Sequence, residues 1–317
     1  MKRFLLALAL VTAAVAGPAQ AQLKFNPNQV AILRWYPANQ TANIPVGAAF
    51  GVAFDGVDLW MTFGTSVVKK VRASDGTSTD FDVCTVYCGV TLTEIAFDGA
   101  NVWVADAGNS AVYKLRASDG NVLGPFRAST PAGVAFDGAN IWVTSAGDNT
   151  VTKFRARDGK VLGTLAVGLQ PAGMAFDGAN IWVTNTLSNN VTKLRASDGK
   201  VLGTFPVFSA PVAAAFDGAN IWVANVGSDN MTKLRASDGT VLGIFVVGHE
   251  PVGLAFDGAN IWVANKGSIN VTKLQASGVN LGTFPLSAAP SGGMAFDGAN
   301  IWVATPGNGI NLSISKL

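Results

Sequence analysis

Seven near-copies of the phrase Ala-Phe-Asp-Gly-Ala-Asn-Ile-Trp-Val run through this chain. Their Phe-Asp pairs begin at Phe54, Phe97, Phe136, Phe176, Phe216, Phe256 and Phe296, in steps of 43, 39, 40, 40, 40 and 40 residues. A period near 40 residues makes each copy one supersecondary unit. Such a unit buries its apolar face only against its neighbours, either stacked in a solenoid or joined in a ring. A residue present in every copy therefore belongs first to the scaffold. Function is to be sought where the copies differ.

Within one copy, Gly173–Phe176 is a short apolar run ended by Asp177-Gly178, and Asn180–Thr184 is rich in β-branched and aromatic residues. A polar link, Asn185 to Asn190, leads to the alternating Val191–Arg195. Ser197-Asp198-Gly199 then precedes Val201–Val207. Short strands separated by Asp-Gly and by Asn/Ser/Gly clusters are consecutive β-hairpins. We label the four strands A, B, C and D. Twelve of the 18 Asp residues stand in Asp-Gly pairs at the A–B and C–D turns, where Gly takes positive φ and Asp bonds its own backbone.

Four strands in about 40 residues is the blade of a β-propeller. The expected fold is all-β: a seven-bladed β-propeller of four-stranded antiparallel blades, its ring closed by pairing N- and C-terminal strands. After the last A–B hairpin only a C-like strand, Leu312 to Lys316, remains, so Asn43–Gly47 is expected to supply the missing D strand. The segment Val30 to Trp35 also resembles strand C and either competes with the C-terminal strand or lies outside it. Each B strand carries one Trp, from Trp60 to Trp302, expected to fill the wedge between blades. Strand A is lined by Gly and Ala, which implies a narrow axial channel without obvious chemistry.

Ahead of the repeats, Lys2-Arg3, the apolar run Phe4–Val15 and Ala19-Gln20-Ala21 have the three parts of a secretory signal peptide. Residues 1–21 are thus expected to be removed, leaving 22–317 as a single propeller domain that is exported, periplasmic or extracellular, without a membrane anchor. Without Lys2 and Arg3, 20 basic residues balance 20 acidic ones. That balance argues against bulk electrostatic binding to nucleic acid. Lys153, Lys193, Lys233 and Lys273 recur on strand C, inside the sheet rather than in loops, which also weakens a single-stranded DNA groove.

The runs Ile181–Asn185, Ser188–Thr192 and Gly199–Thr204, with the Gly-x-x-Pro links Gly168–Pro171 and Gly248–Pro251, resemble the 40-residue YVTN-type β-propeller repeat. Trp replaces the usual Tyr on strand B. The resemblance covers essentially the whole mature chain and implies a seven-bladed propeller found in exported bacterial and archaeal proteins, often without a known activity, some members of which bind single-stranded DNA or other macromolecules. More distantly, the chain is similar to the streptogramin (virginiamycin B) lyases, propellers that open a cyclic depsipeptide using His, Glu and Mg²⁺. A lactone-opening reaction is the enzymatic alternative. This chain has one His, His249, and two Glu, Glu94 and Glu250, so no catalytic residue carries over from that family, and no metal ligand or cofactor is assigned.

Departures from the consensus are Trp35-Tyr36, the Asp80–Glu94 region, Tyr113, Phe208, His249-Glu250 and Lys266. His249 and Glu250 replace Leu169-Gln170 and Ser209-Ala210 of neighbouring D–A links. They are expected, with Lys266 and the loop amides Asn185, Asn225 and Asn265, to present a polar ligand site for a protein, glycan or peptide on the B–C/D–A face. Cys84 and Cys88, in the one enlarged repeat of an exported chain, read as a disulfide. Four extended residues would hold their Cα atoms about 13 Å apart, so the bond requires a tight turn at Thr85–Tyr87.

Overall fold

A computed structural model describes residues 43–44, 49–83, 91–305 and 309–312. Among them the strands pair into seven four-stranded antiparallel sheets. Six are blades of four consecutive strands. The fourth blade, for example, runs Pro171–Phe176 (A), Asn180–Asn185 (B), Asn190–Arg195 (C) and Val201–Pro206 (D). The remaining sheet is composite: Met294–Phe296 (A), Ile301–Thr305 (B) and Gly309–Leu312 (C) are completed by Asn43–Ile44. Asn43 pairs with Asn311 and Ile44 with Ile310. The C-like strand therefore lies earlier than Leu312–Lys316. Pairing with Asn43–Ile44 fixes its register and places Asn311 and Ile310 inside the sheet. Val30–Trp35, the signal-like segment 1–21 and both cysteines fall outside the described residues.

The core lies between the sheets, in seven apolar clusters. In each cluster one sheet contributes its B-strand Trp, and the next contributes apolar residues of its own B strand. Trp182 and Val191 of the fourth blade, for instance, meet Ile221, Val223 and Leu234 of the fifth. The last cluster sets Trp302 of the composite sheet against Leu59, Met61 and Val71 of the first blade, so the sheets close on themselves. All seven repeat tryptophans are fully buried. Each contributes a few kcal/mol of burial, about 25 cal/mol per Å² of apolar surface.

The repeated Asp does more than make the turn. From the A–B turn its Oδ1 accepts two backbone N–H groups, while Oδ2 accepts the indole N–H five residues on. For Asp177, Ala179 and Asn180 donate at 2.9 and 2.7 Å and Trp182 Nε1 at 2.8 Å. The same Asp–Trp bond occurs in all seven copies, at 2.8–2.9 Å. One carboxylate thus sets both the turn and the aromatic that fills the wedge.

The strand-C lysines join blade to blade. Lys193 Nζ donates to the carbonyls of Ala236 (2.7 Å) and Ser237 (3.1 Å) in the next blade, and it lies 4.8 Å from the centroid of the Trp182 ring. Lys114 and Lys153 repeat the arrangement. These ammonium groups are buried between blades, as their place inside the sheet implied.

Candidate functional site

Because A strands start and B strands end at one rim, the D–A and B–C links share a face. The A–B and C–D turns occupy the opposite one. On the shared face the B–C links of the third, fourth and fifth blades each clasp the next D–A link. Asn149 Oδ1 accepts the N–H of Gln170 (2.8 Å), and Asn189 Oδ1 that of Ala210 (2.9 Å). At the third such clasp the Asn is replaced by Asp229, whose Oδ1 accepts the N–H of Glu250 at 2.8 Å. Its second oxygen meets His249 Nδ1 at 2.9 Å. The N–H of Glu250 and then His249 hold the Asp229 carboxyl below its usual range.

His249 remains three-quarters exposed in this pair. Its backbone N–H is tied to Ser268 Oγ (2.7 Å), and the N–H of Lys266 donates to the Glu250 carbonyl (2.8 Å). Glu250 holds φ 52°, as Gln170 (53°) and Ala210 (53°) do at equivalent positions. Its conformation is therefore the link's own and not a local device. The structure brings His249, Glu250 and Lys266 together, and adds Asp229. The sequence signal for Asp229 was an acid where the neighbouring links have Asn149 and Asn189.

Asn185, Asn225 and Asn265 do not belong to this surface. All three are fully buried at the ends of their B strands. Each side-chain NH₂ donates inward, that of Asn225 to Asn230 Oδ1 (2.9 Å) and Thr232 Oγ1 (2.9 Å). Asn185 and Asn265 do the same with Asn190 and Thr192, and with Asn270 and Thr272. The expectation of loop amides facing a ligand is corrected: strand pairing carries one residue further than the apolar pattern suggested and turns these amides under the link. Asn185 Oδ1 accepts the N–H of Gly168 (3.1 Å). The Oδ1 atoms of Asn225 and Asn265, beneath the His249 cluster, are buried acceptors without a donor.

The axial channel is not chemically empty. It encloses about 580 Å³ between the A strands, which in the six complete blades are Ala49–Phe54, Leu92–Phe97, Pro131–Phe136, Pro171–Phe176, Pro211–Phe216 and Pro251–Phe256. Third in these strands stand Gly51, Glu94, Gly133, Gly173, Ala213 and Gly253. Glycine is required at several of them by close approach: a Cβ on Gly133 would strike the Ala172 carbonyl of the next A strand, and one on Gly173 the Val212 carbonyl. Glu94 alone brings a charge into the series, and among the described residues it is the only ionisable one lining the channel. Glu94 is partly buried and lines this open-ended space. Desolvation pushes its carboxyl up to about 7, against a small opposing effect of the Ile95 N–H at 3.1 Å.

Among the described residues, no three His, Cys, Asp or Glu side chains converge as a metal site requires. No family model matches the chain. No curated protein matches it either. Solved structures do. A catalytically inactive histidine-to-alanine variant of virginiamycin B lyase from Staphylococcus aureus, solved with quinupristin, superposes with a TM-score of 0.75 at 19% identity, covering 87% of this chain and 98% of that one. A streptogramin B lyase structure gives a TM-score of 0.74 at 18% identity, covering 87% and 96%. At such identity the likeness is one of fold: this chain is a β-propeller of four-stranded antiparallel blades, similar in architecture to the streptogramin B lyases.

Proposed function

We propose that the protein is an exported, non-enzymatic seven-bladed propeller, with the composite sheet as its seventh blade, that binds a polar peptide or glycan on its B–C/D–A face. The observation that carries the reading is the cluster of Asp229, His249, Glu250 and Lys266. There the rim, mostly Asn, Ser and Gly elsewhere, gathers an exposed group of both charges. A donor, an acceptor and two flanking charges within neighbouring links suit recognition by hydrogen bonds. The basic start, apolar run and Ala-x-Ala of residues 1–21 support export, and the repeat's likeness to YVTN-type sequences fits a binding role.

A lyase-like or lactonase-like reaction is the second reading, and one contact favours it. With Asp229 accepting from Nδ1, the imidazole of His249 would present Nε2 as a proton acceptor, the arrangement of an oriented general base. The fold neighbours are lyases, one of them inactivated by loss of a histidine.

One set of measurements separates the two readings. The chain from residue 22, and its His249→Ala and Lys266→Ala variants, would be applied to peptide and glycan arrays. The same proteins would be incubated with quinupristin and Mg²⁺ while ring opening is followed by mass spectrometry. Binding reads as array signals lost in both variants with no quinupristin opened. Turnover by the parent chain, abolished in His249→Ala, overturns it in favour of the lyase.

A further inference from the structure

The repeat architecture does not need Glu94. The corresponding position is Gly or Ala in the other complete blades, and a partly buried carboxylate without a cation opposes folding. The residues lining the same space are otherwise neutral and mostly apolar. Ile95, Val134 and Met174 stand next along the A strands, and Phe97, Phe136 and Phe176 end them near the A–B turns. Glu94 is third in its strand and so lies toward the D–A/B–C face, with the phenylalanines toward the opposite face. Phe50, partly exposed, also lines the channel from the second position of the first blade.

We propose that the central channel binds an organic cation, a primary ammonium on an apolar body, with its charged head on the Glu94 carboxylate and its apolar part directed toward the Phe97, Phe136 and Phe176 end. The acceptor, the single charge and the apolar depth account for each part of that ligand. A divalent metal ion fits poorly, because Ca²⁺ or Mg²⁺ takes six or more oxygen ligands and one carboxylate is present. The rise of the Glu94 carboxyl toward neutrality supports the same view: above that range an unpaired charge is enclosed, and an ammonium supplies its partner. This site is distinct from the His249 cluster, and neither reading requires the other.

The test uses n-octylammonium and n-octanol as matched probes, titrated calorimetrically at about pH 8, where the carboxylate is ionised and the amine protonated. The expected result is one octylammonium per chain, bound about tenfold or more tighter than octanol. Glu94→Gln, which keeps size and fold, removes the preference and leaves octanol binding unchanged. Glu94→Gly, which restores the residue of the other blades, does the same. Equal binding of the two probes by the parent chain, or no binding of either, overturns the proposal. So does a preference for the amine that survives in Glu94→Gln.

Discussion

Two partly buried carboxylates titrate in opposite directions. Burial by itself would raise the Asp217 carboxyl, but the Trp222 indole, the Ala219 and Asn220 N–H groups and the Asn220 amide donate to it and together hold it below the usual value. Its contribution to stability is therefore present above about pH 4 and lost as pH falls through the lower, folded value. Glu94, raised from 4.5 to about 7, does the reverse. It destabilises the fold progressively as pH rises from about 4.5 to 7. Urea unfolding at several pH values should then show Glu94→Gln gaining stability over the parent chain at pH 8 and none at pH 4. Asp217→Ala should lose about 2–3 kcal/mol at neutral pH, because an indole and backbone donors are left without an acceptor. The Phe-Asp repeat and the Trp were plain in the sequence. The bond between them was not, because Asp-Gly already had a sufficient local explanation in the turn.

At the scale of a strand, the notable element is C. Lys70, Lys114, Lys153, Lys193 and Lys233 each point from their own sheet to the backbone of the next, so an ammonium performs work usually left to apolar packing. Lys193→Met keeps the stem that covers Trp182 and removes the donor, leaving the Ala236 and Ser237 carbonyls with one partner fewer. The expected loss is about 1–3 kcal/mol in chemical denaturation. On strand D, Phe205 lies over Gly239 in the C–D turn of the following blade. Gly239 has φ 78°, so both backbone conformation and space exclude a side chain there. The alternation along strands C and D was legible from the sequence, since period two is a local property. Where Lys and Phe point across the gap was not, because that depends on the angle between sheets. The same limit hid the burial of Asn225 and Asn265: whether the last residue of a strand pairs or turns outward is decided by its partner strand. The His249 neighbourhood was found from a break in the repeat. Asp229 and the channel position of Glu94 needed that comparison to be made column by column.

For the molecule as a whole, the composite sheet leaves no blade a strand short, so no C strand of the ring stands as an open edge and only the D strands remain at the rim. Here that protection rests on one short piece of pairing, Asn43–Ile44 against Ile310–Asn311. The four-stranded blades and the joining of the chain ends could be inferred by counting partial units. The register of the final strand could not, because Gly309–Leu312 lacks the Lys and Leu-Arg landmarks of its counterparts.

The pairing of Asn43–Ile44 with Ile310–Asn311 also leaves the first and last described strands side by side and antiparallel, as if a hairpin had been cut at its bend. A polypeptide that starts instead at Gly147, runs to Leu312, continues through a short Asp-Gly-containing linker into Asn43 and ends at Ala146 should trace the same circle. Its unfolding in urea should remain a single transition with a midpoint close to that of the original order. For this architecture, then, the place where translation begins is an accident of history: the circle has no natural start.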